Sequence, residues 1–267
     1  MDNEQDRERK TDASEEIVFE KQTGWDWAEL LTEQPQLADK CDWAKLDGND
    51  LAWLLRVQPQ FADKCDWSKL SGENWVCILD EQPQFANKCD KWSEMDVGNW
   101  VWLLSEQPQF ADKCDKWGEF DGHGWACLLG SQPQFADKCD WAKLSGRDWA
   151  RLLKSRPEFA GHCDKWGEIP GEYDPGEENW PSLLSSQPQL ADKCGKWDEF
   201  NGRGWAKLLV SQPQFADKCD AWGKLSAINW VRLLKAQPQF ADKCTVPKSQ
   251  LDNIGIEDLE AEECEPY

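Results

Sequence analysis

The sequence predicts an all-α fold: a single solenoid of about nine short helical repeats, each of 24–25 residues, stacked on Trp, Leu and Cys ladders. Three observations predict it. A near-constant text recurs along the chain, most tryptophans occupy two repeated positions, and no unit shows the period-two alternation of a β-strand. Only ten Val, Ile or Thr residues lie between Trp25 and Cys244, which is few for a sheet.

The repeat is marked by nine cysteines, separated by steps of 24, 24, 25, 25, 24, 31, 25 and 25 residues: Cys41, Cys65, Cys89, Cys114, Cys139, Cys163, Cys194, Cys219 and Cys244. The text around each is close to W-x-x-L-L-x-x-Q-P-Q-F-A-D-K-C-D-W-x-K-L-x-G. At the cysteine, some units read CDW, as at Cys65–Trp67, and others read CDKW, as at Cys89–Trp92. This segment is predicted to be a turn, because one inserted residue would rotate a helix face by about 100°.

The first element of each unit is predicted to be an amphipathic helix, as the unit around Trp75 shows. Ser71 suits the N-cap, and Leu70 before it can pack on Trp75 as a hydrophobic staple. Trp75, Ile78 and Leu79 lie at i, i+3 and i+4, so they form one apolar stripe.

Two shorter elements complete the unit. Pro83 is expected to end the first helix, because the residue before a proline is disfavoured in the α region. The same proline suits the first position of a second short helix, in which Phe85 and Cys89 lie one turn apart. Asp66 is predicted to cap a third short turn that contains Trp67.

Sixteen of the nineteen tryptophans fall into two series. The first series opens the long helix: Trp27, Trp75, Trp100, Trp125, Trp149, Trp180, Trp205 and Trp230, with Leu51 in the second unit. The second series follows the cysteines: Trp43, Trp67, Trp92, Trp117, Trp141, Trp166, Trp197 and Trp222. Such a regular series could stack on a ligand, but each unit of a solenoid must supply its share of the interior, so both series are predicted to be core.

This pattern resembles the Trp-rich arrays of roughly 24 residues, W-x-x-L-L-x-x-Q-P-x-F-A-x-x-C-D-W-x-x-L, found in uncharacterised bacterial proteins. The resemblance covers Trp25 to Cys244. It implies a tandem-repeat fold and brings no activity and no catalytic residue with it.

Composition and charge suggest three segments: an acidic, partly disordered segment at 1–24, the solenoid at 25–244 with a loop insertion near 168–178, and an acidic tail at 245–267. The net charge of −21 argues against direct binding to nucleic acid or anionic lipid. No run of about 18 apolar residues occurs. We therefore expect a cytoplasmic protein, and an effector delivered to a host would have the same features.

Catalytic and metal-binding motifs are missing. There is no C-x-x-C pair, no Cys/His set with zinc spacing, no phosphate-binding glycine loop and no H-E-x-x-H. Neighbouring repeat cysteines are not expected to form disulfides, because packed helices lie about 8–10 Å apart. Neither His123 nor His162 has an evident partner. We therefore expect no enzyme, no metal and no cofactor.

Function is expected where the units differ on an exposed face. Counting the first-series tryptophan as zero, the leucines at positions 3 and 4 point inward, and positions 2 and 5 point outward. The basic and aromatic residues there are the candidate partner-binding residues, because Trp and Arg are enriched in binding hot spots: Trp53, Arg56, Trp102, Arg151, Lys154, Lys207, Arg232 and Lys235. Alternatively, Trp53 and Trp102 cover gaps between units.

The 31-residue step adds a further candidate. The text GEIPGEYDPGEENW inserts seven residues around Tyr173, with two prolines and three glycines, and predicts a loop. Such an insertion either lies on a binding face or is a tolerated surface insertion.

Two functions fit this sequence. The first is a scaffold that binds another protein through one solenoid face, without contacting nucleic acid or membrane directly. The second is an acidic inhibitor or decoy that mimics nucleic acid towards a basic partner. The sequence leaves the oligomeric state open.

Overall fold

The computed structural model describes residues 22–173, 176 and 178–254. Each residue belongs to one of two compact units, each made of several repeats: the first unit runs up to Glu119 and the second unit starts at Phe120. Within these residues the only regular elements are helices. Within each of the two compact units, the α-helices of consecutive repeats pack against one another, which confirms the predicted stacking of helical repeats. The α-helices are α1 Gly24–Glu33, α2 Gly48–Val57, α3 Gly72–Glu81, α4 Val97–Glu106, α5 Gly122–Ser131, α6 Gly146–Ser155, α7 Trp180–Ser186, α8 Gly202–Ser211, α9 Ala227–Ala236 and α10 Lys248–Leu251.

The long helix of the repeat around Trp75 begins and ends where the sequence predicts. At α3, the Ser71 side chain accepts from the N–H of Asn74, while the Asn74 side chain accepts from the N–H of Ser71. This reciprocal pair is a capping box, and it satisfies two backbone donors that the helix itself leaves without partners. The helix ends at Glu81, two residues before Pro83. Leu70 and Trp75 are both buried, as a hydrophobic staple requires.

The two shorter elements are 3-10 helices, so the second element has a tighter hydrogen-bond pattern than the short helix expected from sequence. Asp66 caps one of them by accepting from the N–H of Ser68, as predicted. Those that begin at a proline are Pro35–Leu37, Pro59–Asp63, Pro83–Lys88, Pro108–Lys113, Pro133–Lys138, Pro157–His162, Pro188–Lys193, Pro213–Lys218 and Pro238–Lys243. Those that begin at a tryptophan are Trp43–Lys45, Trp67–Lys69, Trp92–Glu94, Trp117–Glu119, Trp141–Lys143, Trp166–Glu168, Trp197–Glu199 and Trp222–Lys224.

The two tryptophan series differ in burial. Members of the first series are at most 1% exposed, so they form the core as predicted. Members of the second series are half-buried and pack over the first: the Trp67 ring stacks on Trp75 at 5.2 Å with an interplanar angle of 9°. Trp67 also contacts Phe85 at 5.5 Å. The expectation that both series are interior is therefore too simple, because the second forms an outer layer with one side towards solvent.

Glutamine side chains connect successive repeats by hydrogen bonds. The side-chain amide of Gln58, at the end of α2, donates to the carbonyl of Thr32 in α1 at 2.8 Å. Equivalent bonds join Gln187 to Lys154 and Gln212 to Ser185. These carbonyls lie in the last turn of a helix, where the helix provides no donor. The glutamines of the Gln-Pro-Gln text therefore satisfy backbone carbonyls of the preceding helix.

A lysine ammonium makes a second contact between repeats, and two repeats supply it from different positions. In a CDW unit, Lys69 donates to the carbonyls of Ala44 and Leu46. In a CDKW unit the inserted Lys165 makes the same pair of contacts, with Ala142 and Leu144 at 2.8 Å each. The extra residue therefore replaces the source of the ammonium and leaves the contact intact.

Helix α1 starts at Gly24, with Thr23 as its N-cap. Residues 1–21 and 255–267, which include most of both predicted acidic segments, lie outside the described residues. Part of the expected tail is helical, because α10 falls within 245–267 and packs on α9. A membrane-crossing helix, which must be long and apolar, is not found in the described part of the chain.

Candidate partner-binding faces

Two of the outward positions of the first unit hold tryptophans. Trp102, at position 2 of α4, is 59% exposed, which is high for a side chain of this size. Trp53 occupies the same position in α2, and the exposed Cys77 occupies it in α3 between them. Because α2 packs on α3 and α3 on α4, these positions follow one another along one side of the unit. We call Trp25, Trp53 and Trp102 the aromatic face.

Trp25 is the member of this face that the sequence analysis missed. It is 48% exposed and lies against Trp53, with ring centroids 5.0 Å apart and planes tilted by 51°. Trp53 is half-buried as a result. The signal was available: Trp25 is two residues before the reference tryptophan of α1, and that position shares a helix face with position 2, four residues later.

Arg56 lies beside this face, at position 5 of α2. Its guanidinium is 3.6 Å from the carboxylate of Glu81, and both side chains are substantially exposed. Such a pair contributes little to stability in water, so Arg56 can exchange this partner for another carboxylate.

Basic side chains dominate the outward positions of the second unit. Arg151 and Lys207 are exposed at position 2, Lys235 is exposed at position 5, and Arg232 is half-buried. Arg147 and Arg203 were missed by the sequence analysis, although each lies four residues before a predicted position and on the same helix face. We call these residues, together with Lys154, the basic face: Arg147, Arg151, Lys154, Arg203, Lys207, Arg232 and Lys235.

The inserted loop lies on the basic face. Glu178 pairs with Lys154 of α6 at 3.0 Å. On the other side, the Tyr173 carbonyl accepts from the side-chain amide of Asn201 at 2.9 Å, and the Lys207 ammonium lies 5.7 Å from the centre of the Tyr173 ring. Two predicted lysines thus contact the inserted segment, Lys154 through Glu178 and Lys207 through the predicted Tyr173.

The loop changes one outward position. Ser182, at position 2 of α7, is expected from sequence to be exposed, but only 9% of it is accessible. Helix α7 also starts late, at Trp180, because the insertion takes the place of its first turn. On either side of α7, Glu178 contacts α6 and Tyr173 contacts Asn201 and Lys207 of the next repeat.

An open cavity of about 230 Å³ lies beside the loop. Three residues of its polar lining are of basic type, namely His123, Arg147 and Arg151. The other lining residues are Ser145, Asp148, Gly176 and Glu178. The two carboxylates are engaged locally. Asp148 accepts from the backbone N–H and hydroxyl of Ser145 at 2.9 and 2.7 Å, and Glu178 pairs with Lys154. The lining therefore carries charges of both signs, two arginines and two carboxylates, and Glu178 is paired with a cation outside the lining, Lys154.

The cysteines and histidines have neighbours of their own. Burial raises the pKa of the Cys65 thiol to about 12 and that of Cys194 to about 11, which keeps both thiols protonated at neutral pH. His162 stacks on Trp141 at 4.5 Å, and the His123 Nε2 lies 3.6 Å from the Cys127 Sγ, so both histidines have partners that the sequence did not suggest. No group of three or more potential metal ligands occurs among residues 22–173, 176 and 178–254.

The chain was compared with family models, curated proteins and solved structures, and none of them matches. The structure confirms the tandem helical units and tryptophan clusters on which the resemblance to Trp-rich arrays depends. A bacterial origin stays a prediction. The function therefore has to be argued from the side chains of the two faces described above.

Proposed function

We propose that this protein is a non-catalytic repeat scaffold that binds another protein through the aromatic face of its first unit. The observation that carries the proposal is Trp102, whose side chain is 59% exposed although every first-series tryptophan is buried. An indole in water forfeits several kcal/mol of burial free energy, at about 25 cal/mol per Å² of apolar area. A partner that covers Trp102 recovers that free energy.

The arrangement around Trp102 suits an interface. Trp25 and Trp53 pack on one another, so together they present a rigid apolar surface whose side-chain entropy is already reduced. Arg56 and Glu81 provide exposed charges close to α2 and α3, as in the polar rim of a protein interface. Tryptophan and arginine together make up much of the hot-spot energy of known interfaces.

The proposal is tested by comparing three forms of the full chain: the unchanged protein, Trp102→Ala, and Lys193→Ala as a control at an exposed site in the second unit. Each form is immobilised and exposed to a lysate of the source organism. A true partner is retained by the first and third forms, and Trp102→Ala weakens its binding by about 2 kcal/mol, or roughly 30-fold. Equal retention by all three forms would remove the aromatic face from consideration.

A salt titration of each retained protein separates this function from that of an acidic decoy. Binding through apolar indoles changes little as salt rises, whereas binding through the acidic surface falls steeply because screening weakens it. A partner that is lost at about 0.5 M salt from all three forms would support the decoy.

A further inference from the structure

The basic face of the second unit is a local reversal of charge. At positions −2, 2 and 5 of α5 to α9 there are seven basic residues and one acidic residue, Glu178. The same positions of α1 to α4 hold one basic residue and three acidic ones, and the whole chain has a net charge of −21. Basic side chains are therefore gathered on one face of a molecule that is otherwise acidic.

We propose that this face binds an acidic peptide segment of a partner protein. Nucleic acid is a poorer fit, because a continuous phosphate backbone that extends past this face would meet the acidic remainder of the chain. A short run of Asp or Glu side chains matches the face in charge and in extent. The proposal concerns a different surface from the aromatic face and does not depend on it.

The inserted loop shows which contacts the basic face can make. Glu178 gives a carboxylate to Lys154 at 3.0 Å, and 16% of that glutamate side chain is exposed. Tyr173 gives an aromatic ring to the Lys207 ammonium at 5.7 Å. Both contacts come from a segment of the chain that replaces regular helix. Glu178 therefore acts as an internal acidic ligand of Lys154.

Room for further carboxylates exists next to the loop. Arg151 is exposed and lines the cavity of about 230 Å³ beside Glu178. Lys235, at position 5 of α9, is also exposed. A partner carboxylate in the cavity would contact Arg151, and later acidic residues of the same segment would reach α8 and α9. A charge-assisted hydrogen bond of this kind is stronger than one between neutral groups.

The test uses fluorescence anisotropy with a labelled oligoglutamate peptide and the full chain at about 50 mM salt, where screening is weak. The unchanged protein is expected to bind the peptide. The double variant R151E/K235E should bind about tenfold more weakly. The control is K193E/K243E, which alters two exposed lysines of the same unit outside the basic face and changes the net charge equally. Its affinity should stay within about twofold of the unchanged protein.

Glu178→Gln provides a second, opposite test. Removing the loop carboxylate should raise the peptide affinity by about threefold, because the peptide no longer competes with Glu178 for Lys154. Melting temperatures of all variants establish that each is folded. The proposal is overturned if the unchanged protein does not bind the peptide, if both double variants lose equal affinity, if Glu178→Gln leaves the affinity unchanged, or if a labelled oligothymidylate of equal charge binds as tightly.

Discussion

The side-chain amide of Gln82 donates to the backbone carbonyl of Arg56 at 2.6 Å, so the residue that ends α3 also satisfies the last turn of α2. Gln84 in turn donates to the side-chain oxygen of Gln82 at 2.8 Å and orients it. The Gln-Pro-Gln text is thus the point at which the end of one helix is bonded to the end of the preceding one.

Gln82→Ala is expected to lower the free energy of unfolding by about 1–2 kcal/mol, because the Arg56 carbonyl then loses its donor in a partly buried place. Gln84→Ala is the matched control. Its side chain is exposed and only supports Gln82, so a change of about 0.5 kcal/mol or less is expected. Urea denaturation measures both. Equal losses of unfolding free energy in the two variants would mean that the hydrogen bond from Gln82 to Arg56 contributes no more than the one from Gln84 to Gln82.

Gly72→Ala should destabilise the first unit by about 2 kcal/mol, because a Cβ there would lie 2.8 Å from the Glu94 carbonyl carbon and 2.9 Å from the Met95 nitrogen. The backbone of the next repeat must then move away. Gly98→Ala is the control within α4, where the nearest atom is the Asp96 carboxylate oxygen at 3.4 Å, an ordinary contact distance. It should stabilise by about 0.5–1 kcal/mol, as alanine favours helix. Thermal unfolding of both variants decides, and a stabilising Gly72→Ala would contradict the close approach.

The first-series and outward tryptophans should differ sharply in their effect on stability. Trp75→Ala is expected to cost about 3–5 kcal/mol, since the side chain is 0% exposed. Trp75→Phe should cost less, because it also removes a buried indole N–H for which no hydrogen-bond partner occurs in the described residues. Trp102→Ala should change stability by about 0.5 kcal/mol or less. A Trp102→Ala variant that melts as early as Trp75→Ala would make Trp102 a core residue.

Thiol reactivity should separate Cys77 from Cys65. Cys77 is exposed, whereas Cys65 is buried and the pKa of its thiol is raised to about 12. We expect Cys77 to react at least about tenfold faster with a thiol reagent at neutral pH, with peptide mass spectrometry as the readout. In denaturant the two rates should become similar, which controls for local sequence. Cys127 is also expected to react early, and so is Cys264, which lies outside the described residues.

The raised pKa of Cys65 also predicts a pH dependence. The folded state holds the proton up to about 12, whereas the ordinary value is 9.0, so between these values the folded protein binds more protons than the unfolded chain. Its contribution to stability is therefore complete below pH 9.0 and decreases as pH rises towards about 12. Cys65→Ala should lose less stability than the unchanged protein between about pH 9 and 10.5. Equal slopes below about pH 8 serve as the control, and equal slopes above it would contradict the burial of the thiol.

Local chemistry made the helices predictable from the sequence. Ser71 at an N-cap, Pro83 after the last turn and the Trp75 stripe act over a few residues, so their consequences follow without knowledge of the fold. Periodicity then implied stacking, because a short helix cannot bury a tryptophan alone. The outward positions also followed, since 3.6 residues per turn place position 2 opposite the leucines.

Tertiary structure alone decided how neighbouring repeats contact one another and how the loop contacts them. Trp25 covers Trp53, Lys165 takes over the contacts that Lys69 makes in another unit, and Glu178 reaches Lys154. The physical reason is that each of these contacts joins residues from different repeats or from a repeat and the loop. Their geometry depends on how closely the repeats approach, as Gly72 shows, and no pattern within a single unit contains that distance.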